Sequence, residues 1–550
     1  MPKRSSSSPE VTEVIASCEA KADSWAKARP FFHRSWNIAA WGGLSACALV
    51  EENMLAGNKH GSAAHYALTM NLARTAYQMY LAAKENGQQE SVVTGVFQWR
   101  GDVAEMQYCL NQASSYVMFC NAFPLWHNDQ SSVEIISANC LRFTSELTPR
   151  AERFLAFEKG SRPKHLTELP EDPPLQVSLH FDLALQQTFR TLHARGTTGF
   201  AAPLPVKLHD AIYKWYLEQT VAHQKRQSNL EFGAYRLTDF QKCFAALASI
   251  AFGRRALCRS WADITGNTPI DNLVVVHQRP LWESEIRRLS GCDEANVASF
   301  IEDLTLVNGI TKEFAVTPFV PLDEKQHTLA VVPCFVLMGN PEEKLARDLS
   351  FRDAKRHNTN SSKKEDALIE ALRKTMPGLV LHGPWILGAK LPDIDLIFED
   401  STEDHLLICE LKWLQLPHST SSRKSRTEDL KKGVRQIEQI RSLLEQHPSF
   451  LVERGRMTRT IDSFAGVDYC VLSRDFVTEV DDYPAIYSLE AFEKIMAKGA
   501  RLSEAVKYLA SYDWLPVRGV DYEVPFVSHE CAGVTVEQQM IVPSPGSLSI

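Results

Sequence analysis

The strongest constraint on the fold of this chain is a pair of short apolar segments in its last third, each flanked by charged residues at alternate positions. The first segment follows Asp393 and Asp395, and the second is uniformly apolar until it reaches Glu410 and Lys412. Such an apolar run is typical of a buried central strand, and side chains alternate between the two faces of a strand. If the two strands pair in register, three carboxylates and one ammonium therefore meet at one edge of a sheet.

These side chains have the chemistry of a site for a divalent metal ion and a phosphate. Mg²⁺ prefers oxygen ligands and keeps several of its waters. A carboxylate at the end of a buried strand is costly unless it is paired or bound to metal. We therefore predict a Mg²⁺ site formed by the Asp393–Asp395 pair and Glu410, at which Mn²⁺ can substitute. Lys412 adds a positive charge that can hold a phosphate.

Amphipathic helices are predicted on both sides of these strands. Residues 364–376 have apolar side chains at helical spacing, and Pro377-Gly378 then ends the helix. Residues 429–444 carry a second apolar stripe of this kind. The Ser-rich and basic stretch 419–426 predicts a flexible loop, and residues 467–472 predict a further strand.

This order of elements, with Asp-x-Asp and Glu-x-Lys on neighbouring strands, resembles the PD-(D/E)XK nuclease superfamily over residues 360–480. The resemblance implies a central mixed sheet flanked by helices, as in restriction endonucleases and Holliday-junction resolvases. It favours Asp395 and Glu410 as the metal ligands, and it leaves Asp393 as either an auxiliary acid or a surface charge. It implies that Lys412 orients or deprotonates the attacking water and stabilises the charge that develops on the phosphate.

Two helix residues complete the site that the resemblance implies. Glu370, on the first helix, is expected to hold a metal-bound water or a second metal ion. The alternative for Glu370 is an exposed helix acid. Gln436, on the second helix, is expected to orient Lys412 or a phosphate, and the alternative is a solvated helix position.

The chain after the second strand is locally basic, although the whole chain is acidic. Residues 405–460 contain eleven Lys or Arg and six Asp or Glu, a difference of plus five, against a formal net charge of −8 for all 550 residues. Nucleic-acid contact is therefore expected to be local. The candidate nucleic-acid-binding residues are Arg423, Lys424, Arg426, Lys431, Lys432 and Arg435. The alternative is that these residues belong to an ordinary solvated loop and helix face.

Length and composition indicate a multidomain globular protein, with roughly two to four domains. We expect a multidomain α+β fold with mainly α-helical N-terminal (1–157) and middle (175–350) regions. An α/β domain of the restriction-endonuclease type is expected over 360–525, followed by a flexible tail over 540–550. The 12 Cys residues lack zinc-type spacing, and no secretory or membrane-spanning segment is predicted. These features together predict a cytoplasmic protein that has no membrane partner.

The predicted function is metal-dependent hydrolysis of phosphodiester bonds, with DNA as the favoured substrate. Two alternatives stay open: a nuclease fold that no longer cuts and only binds nucleic acid or protein, and a nuclease that cuts RNA. The resemblance also implies a role in restriction or phage defence, where multidomain bacterial members of the superfamily often act. The helical N-terminal region is a candidate contact for a homo-oligomer or a partner protein.

Overall fold

The computed structural model shows a mixed α/β protein. It describes residues 9–55, 63–87, 103–128, 130–166, 206–222, 235–266, 270–307, 316–337, 368–376, 378–387, 392–414, 420–480 and 485–544, with a few isolated residues between these ranges. Residues 158–166 of the expected junction at 158–174 are helical, continuing a helix that begins at Pro149. Residues 167–174 and most of the expected junction at 351–359 lie outside the described residues. Within the described ranges, no helix combines the length and the apolar character needed to cross a membrane.

The N-terminal part contains four helices that pack around one apolar core, followed by a strand hairpin and a fifth helix. Its described helices are α1 (Pro9–Asp23), α2 (Trp36–Leu55), α3 (Ala63–Asn86), α4 (Val103–His127) and α5 (Pro149–Leu166). Strands β1 (Ser131–Ser137) and β2 (Cys140–Ser145) pair antiparallel between α4 and α5. Helix α2 is apolar over most of its surface, as expected of a helix buried inside a protein, and Trp41 and Leu44 are almost fully buried.

The middle part is a second helical unit with a small antiparallel sheet. Its described helices are α6 (Val206–Ala222), α7 (Leu237–Thr265), α8 (Arg279–Ser290), α9 (Glu294–Asp303) and α10 (Pro333–Leu337). Strands β3 (Val275–Gln278), β4 (Val320–Pro321) and β5 (Thr328–Val331) form the sheet in the order β3-β5-β4. Gly291 ends α8 in the left-handed conformation, and the Asp293 side chain then caps α9 by accepting a hydrogen bond from the Asn296 N–H at 2.7 Å.

The C-terminal part is built on a five-stranded mixed sheet. Its described elements are α11 (368–375), β6 (Val380–His382), β7 (Leu396–Asp400), β8 (His405–Trp413), α12 (Thr420–Gln446), α13 (Phe450–Glu453), β9 (Gly466–Arg474), β10 (Ile486–Ser488), α14 (Leu489–Ala497) and α15 (Leu502–Ser511). The strand order is β10-β9-β8-β7-β6. Strands β6, β7 and β8 pair antiparallel, whereas β8, β9 and β10 pair parallel. The expectation of a mixed sheet flanked by helices in this region is confirmed.

The sheet is covered on both faces, which explains why β8 is apolar almost throughout. Helix α12 packs on one face through the buried residues Leu430, Ile437, Ile440 and Leu444. On the other face, Phe398 of β7 meets Phe492 of α14 with ring centroids 5.2 Å apart. The central strand therefore contacts apolar side chains on both sides.

Helix α12 starts earlier than the sequence predicts. The expected flexible loop over 419–426 was wrong, because the helix begins at Thr420 and continues without interruption to Gln446. No Gly or Pro lies between residues 419 and 432, and Ser and basic residues are tolerated in a helix. The Arg423 side chain also forms an ion pair with Glu158 of α5, which holds this first part of α12 against the N-terminal part.

The last strands of the chain return to the N-terminal hairpin. They are β11 (Tyr522–Glu523), β12 (Phe526–Cys531), β13 (Val534–Gln539) and β14 (Val542–Pro543). Strand β13 pairs parallel with β2, which gives a four-stranded sheet in the order β1-β2-β13-β12. Strand β14 pairs with β11, so part of the expected tail is ordered as a strand, and residues 545–550 lie outside the described residues.

Helix α5 joins the N-terminal and C-terminal parts. The Arg153 guanidinium donates to the carbonyl oxygens of Tyr512 at 2.7 Å and Leu515 at 2.8 Å. Phe154 and Phe157 belong to the apolar core of the C-terminal part. The end of the expected N-terminal domain is therefore packed into the five-stranded unit.

Candidate functional site

Asp395 and Glu410 come together because β7 and β8 pair with Leu396 opposite Cys409. Asp395 directly precedes β7, and its Oδ2 accepts a hydrogen bond from the N–H of Leu411 at 2.8 Å. Burial raises the pKa of the Asp395 carboxyl, while the Leu411 N–H, the Lys412 ammonium and a hydrogen bond with Glu410 act in the opposite direction. Two carboxyl groups therefore share one partly buried position at the end of the strand pair.

Lys412 lies on the same face of β8 as Glu410 and connects this strand to α12. Its Nζ is 2.5 Å from Glu410 Oε1, and the exposed fractions of the two side chains are 20% and 2%. The same Nζ donates to Gln436 Oε1 at 3.3 Å. The structure thus brings Asp395, Glu410, Lys412 and Gln436 together at one end of the sheet.

Asp393 lies at the rim of this group and is exposed. Its Oδ1 accepts a hydrogen bond from the N–H of Leu387 at 3.3 Å. Its charge also contributes to raising the pKa of Asp395, so the two carboxyl groups are near neighbours. This position suits an auxiliary acid that faces solvent.

Glu370 is exposed on α11 and forms an ion pair with Arg373. Another nitrogen of Arg373 donates to the carbonyl oxygen of Gly383 at 2.8 Å. Gly383 has a φ of 101°, and a Cβ built there would lie 2.9 Å from the Asp395 carbonyl oxygen. Glu370 is therefore linked through Arg373 to backbone that touches Asp395, whereas direct contact with the carboxyl pair is not seen among the described residues.

The predicted basic surface lies along α12, and most of its members have acidic neighbours. Arg426 pairs with Asp429 at 3.6 Å, Lys431 with Glu428 at 3.3 Å and Lys432 with Asp429 at 3.2 Å. These are exposed or partly exposed pairs, which contribute little and can exchange partners.

Three of the six predicted basic residues are clearly open to solvent. Lys424, Lys432 and Arg435 are exposed. Arg423 differs from them, because it forms an ion pair with the buried Glu158 carboxylate at 2.5 Å and is 23% exposed. Its role in this structure is to hold α12 against α5.

The donor set of the site fits a hard divalent cation. Among the described residues, no three His, Cys, Asp or Glu side chains form a metal-binding group. Asp395 and Glu410 nevertheless provide two carboxyl groups side by side, with the Asp393 carboxyl at the rim. Mg²⁺ is commonly bound by one or two carboxylates, with waters and substrate phosphates as the other ligands, so the residues present suit this ion.

Some residues of this site were missed in reading the sequence. Arg454 donates to the carbonyl oxygen of Leu387 at 3.4 Å and so supports the segment that holds Asp393. Arg373 supports the other side of this segment through Gly383. The spacing of Arg373 three residues after Glu370 is compatible with an ion pair on one helix face, but no sequence signal connects Arg454 to this segment.

No protein-family model matches the chain, and no curated protein or solved structure matches it.

Proposed function

We propose that this chain is a metal-dependent nuclease of the PD-(D/E)XK type that hydrolyses phosphodiester bonds of DNA. The observation that carries the proposal is the placement of the Lys412 amine, which contacts Glu410 on its own strand and Gln436 on α12. Asp395 lies beside this pair and interacts with both Glu410 and Lys412. Acidic oxygens and one fixed amine at a sheet end suit binding and hydrolysis of a phosphate diester.

Each residue has a separate task in the proposed reaction. Asp395 and Glu410 would hold a divalent ion, which supplies positive charge to polarise the phosphate and activate water. Lys412 would orient the attacking water and stabilise the negative charge that grows on the phosphate oxygens. Gln436 holds the Lys412 amine in place, and the solvent-facing Asp393 carboxyl provides an additional acid at the rim.

The expected local contact with nucleic acid rests on charge, whereas the choice of DNA over RNA rests on the resemblance alone. Lys424, Lys432 and Arg435 lie exposed on the helix that carries Gln436, so a backbone that enters the site can run along this helix. Phosphate contacts of this kind carry no sequence information. Restriction or phage defence stays a proposal that rests on the resemblance alone.

The test is cleavage of supercoiled plasmid by the full chain with Mg²⁺ or Mn²⁺, and with EDTA as the metal-free control. We expect cleavage with metal and a loss of about 10²-fold or more in Asp395→Asn, Glu410→Gln and Lys412→Met. Glu399→Gln is the matched control, because Glu399 belongs to β7, the strand that Asp395 directly precedes, but pairs with His382. Asp393→Asn is expected to have a smaller effect than Asp395→Asn.

Full cleavage by the three folded site variants would contradict this assignment. Retained DNA binding without any cleavage by the wild-type protein would favour the binding-module alternative. Parallel reactions on single-stranded DNA, double-stranded DNA and RNA of the same sequence decide the substrate, and faster cleavage of RNA would overturn the choice of DNA.

A further inference from the structure

Gly433 lies in the middle of α12, where glycine is unfavourable. It is the single glycine of the helix Thr420–Gln446, and it is buried against the sheet. Glycine inside a helix costs about 1 kcal/mol relative to alanine, because the unfolded chain gains freedom. Its presence at a buried helix position therefore raises the question of which neighbouring group a side chain at 433 would displace.

The neighbours of Gly433 show which group a Cβ at this position would displace. A Cβ at this position would lie 3.1 Å from Lys412 Cε, 3.4 Å from Val471 Cγ1 and 3.5 Å from Glu410 Cγ. Carbon atoms in favourable contact are about 3.5–4.0 Å apart, so the contact with Lys412 is the tight one. Two of these three neighbours belong to the candidate site.

Lys412 has little freedom to move away from such a Cβ. Its Nζ is held by Glu410 Oε1 at 2.5 Å on the strand and by Gln436 Oε1 at 3.3 Å on α12. Gln436 follows Gly433 by three residues, so both lie on nearly the same face of the helix. The helix thus contacts the stem of Lys412 at Gly433 and its amine at Gln436.

We propose that Gly433 is a positioning residue that lets α12 approach closely enough to hold the Lys412 amine in one place. Gly433 acts through Lys412 and does not touch the substrate. The predicted effect on catalysis rests on the proposed nuclease function. The effect on the position of Lys412 does not, and it can be measured separately.

The kinetic test compares two positions of the same helix. Gly433→Ala and Gly433→Val are measured beside Gln439→Ala and Gln439→Val, because Gln439 is exposed on α12. With Mg²⁺ and plasmid DNA, we expect kcat to fall about 10²-fold in Gly433→Val, the effect of a shift of about 1 Å in a reacting group. We expect a smaller fall in Gly433→Ala, an unchanged KM in both, and wild-type kcat in both Gln439 variants.

Melting temperature separates positioning from general stability. Alanine has the higher helix propensity, so Gly433→Ala is expected to melt at or above the wild-type temperature although its kcat is lower. A purely structural glycine would show the opposite order, with a lower melting temperature and an unchanged kcat per folded molecule. That second pattern would overturn the proposal.

Val471 provides a further control, since it is the neighbour outside the site. In Gly433→Ala/Val471→Ala the contact with the valine methyl is removed while the contact with Lys412 remains. We expect kcat to stay as low as in Gly433→Ala. Recovery of wild-type kcat in the double variant would assign the glycine to core packing and contradict the role in positioning.

Chemical modification of Lys412 tests the geometry without any cleavage. Acetic anhydride is added to the full-length protein, and acetylation of the peptide that contains Lys412 is followed by mass spectrometry. We expect faster acetylation of Lys412 in Gly433→Val than in the wild type, and no change in Gln439→Val. If the wild type does not cleave DNA, the proposed function fails, and the acetylation rate of Lys412 alone decides the inference. Equal acetylation rates in the wild type and Gly433→Val would overturn the inference.

Discussion

Arg423 in the first turns of α12 forms an ion pair with Glu158 of α5, with 2.5 Å between Nη2 and Oε2. The Glu158 side chain is 2% exposed, and the Arg423 guanidinium also lies over the ring of Phe476 at 5.5 Å. The helix that carries Gly433 and Gln436 is therefore attached at its start to the N-terminal part of the chain. Disturbance of α5 is expected to reach the candidate site through this contact.

Glu158→Gln is expected to destabilise the protein by about 2–3 kcal/mol, since it leaves the arginine charge beside a buried neutral group. Urea unfolding of the full chain measures the effect. The double variant Glu158→Met/Arg423→Met is expected to regain most of the loss, because apolar side chains of similar length can replace a buried ion pair. An unchanged unfolding midpoint in Glu158→Gln would contradict the structural role of the pair.

A fragment limited to residues 360–525 is expected to unfold without cooperativity. Phe154 and Phe157 of α5 are part of its core, and Phe157 meets Trp514 with ring centroids 5.0 Å apart. Loss of a buried phenylalanine typically costs about 3–5 kcal/mol, which is comparable with the whole stability of many domains. Thermal unfolding of the fragment, followed by circular dichroism, tests this expectation. As the control, the same fragment fused to residues 149–166 should regain a cooperative transition.

Gln436→Ala is expected to lower kcat about tenfold, because the Lys412 amine loses the acceptor that holds it to α12. Gln439→Ala, one turn further along the same helix and exposed, is the matched control and should retain activity. Plasmid cleavage under saturating Mg²⁺ gives both values. Equal rates for the two variants would remove Gln436 from the site.

Acid is expected to destabilise the middle part through His209. Burial, followed by the nearby Arg288 guanidinium, lowers the pKa of His209 to about 4. The unfolded chain then takes up a proton below pH ~6.5 that the folded chain does not bind. This contribution to stability is present above that pH and is lost as the pH falls towards about 4.

The loss from His209 should be on the order of 1–2 kcal/mol at pH ~5. His209→Gln keeps an acceptor for Arg288, which lies 3.0 Å from His209 Nδ1, and it has no proton to gain. The melting temperature of this variant should therefore fall less than that of the wild type between pH 7 and pH 5. Identical pH profiles for both proteins would refute the prediction.

The neighbourhood of Asp395, Glu410 and Lys412 could be predicted because it follows from strand alternation, which is a local property of the sequence. Leu396 pairs with Cys409, so residues one position outside this pair come together at the strand ends. The apolar stripe of α12 likewise predicted which face packs on the sheet. These parts of the fold needed only short-range periodicity.

Contacts between distant segments could not be predicted in this way. The first part of α12 contacts Glu158 through Arg423, and these two residues are 265 positions apart (423 minus 158). A Ser-rich basic stretch alone does not indicate such a partner. The sequence shows that Gly433 lowers the stability of the helix, but it does not show why glycine is present. The reason is the contact with Lys412, which is 21 residues away (433 minus 412). The pairing of β13 with β2 has no short-range signal at all.

The parallel pairing of β2 with β13 has a consequence for biosynthesis. Arg142 and Glu537, which bond across these strands, are 395 residues apart. A growing chain emerges from the ribosome with its N-terminal end first, so the N-terminal hairpin must wait for nearly all of the chain before its sheet is complete. Contacts of such long separation form slowly. A product that stops before Phe526 leaves β2 as an open edge, which exposes it to aggregation and to cellular quality control.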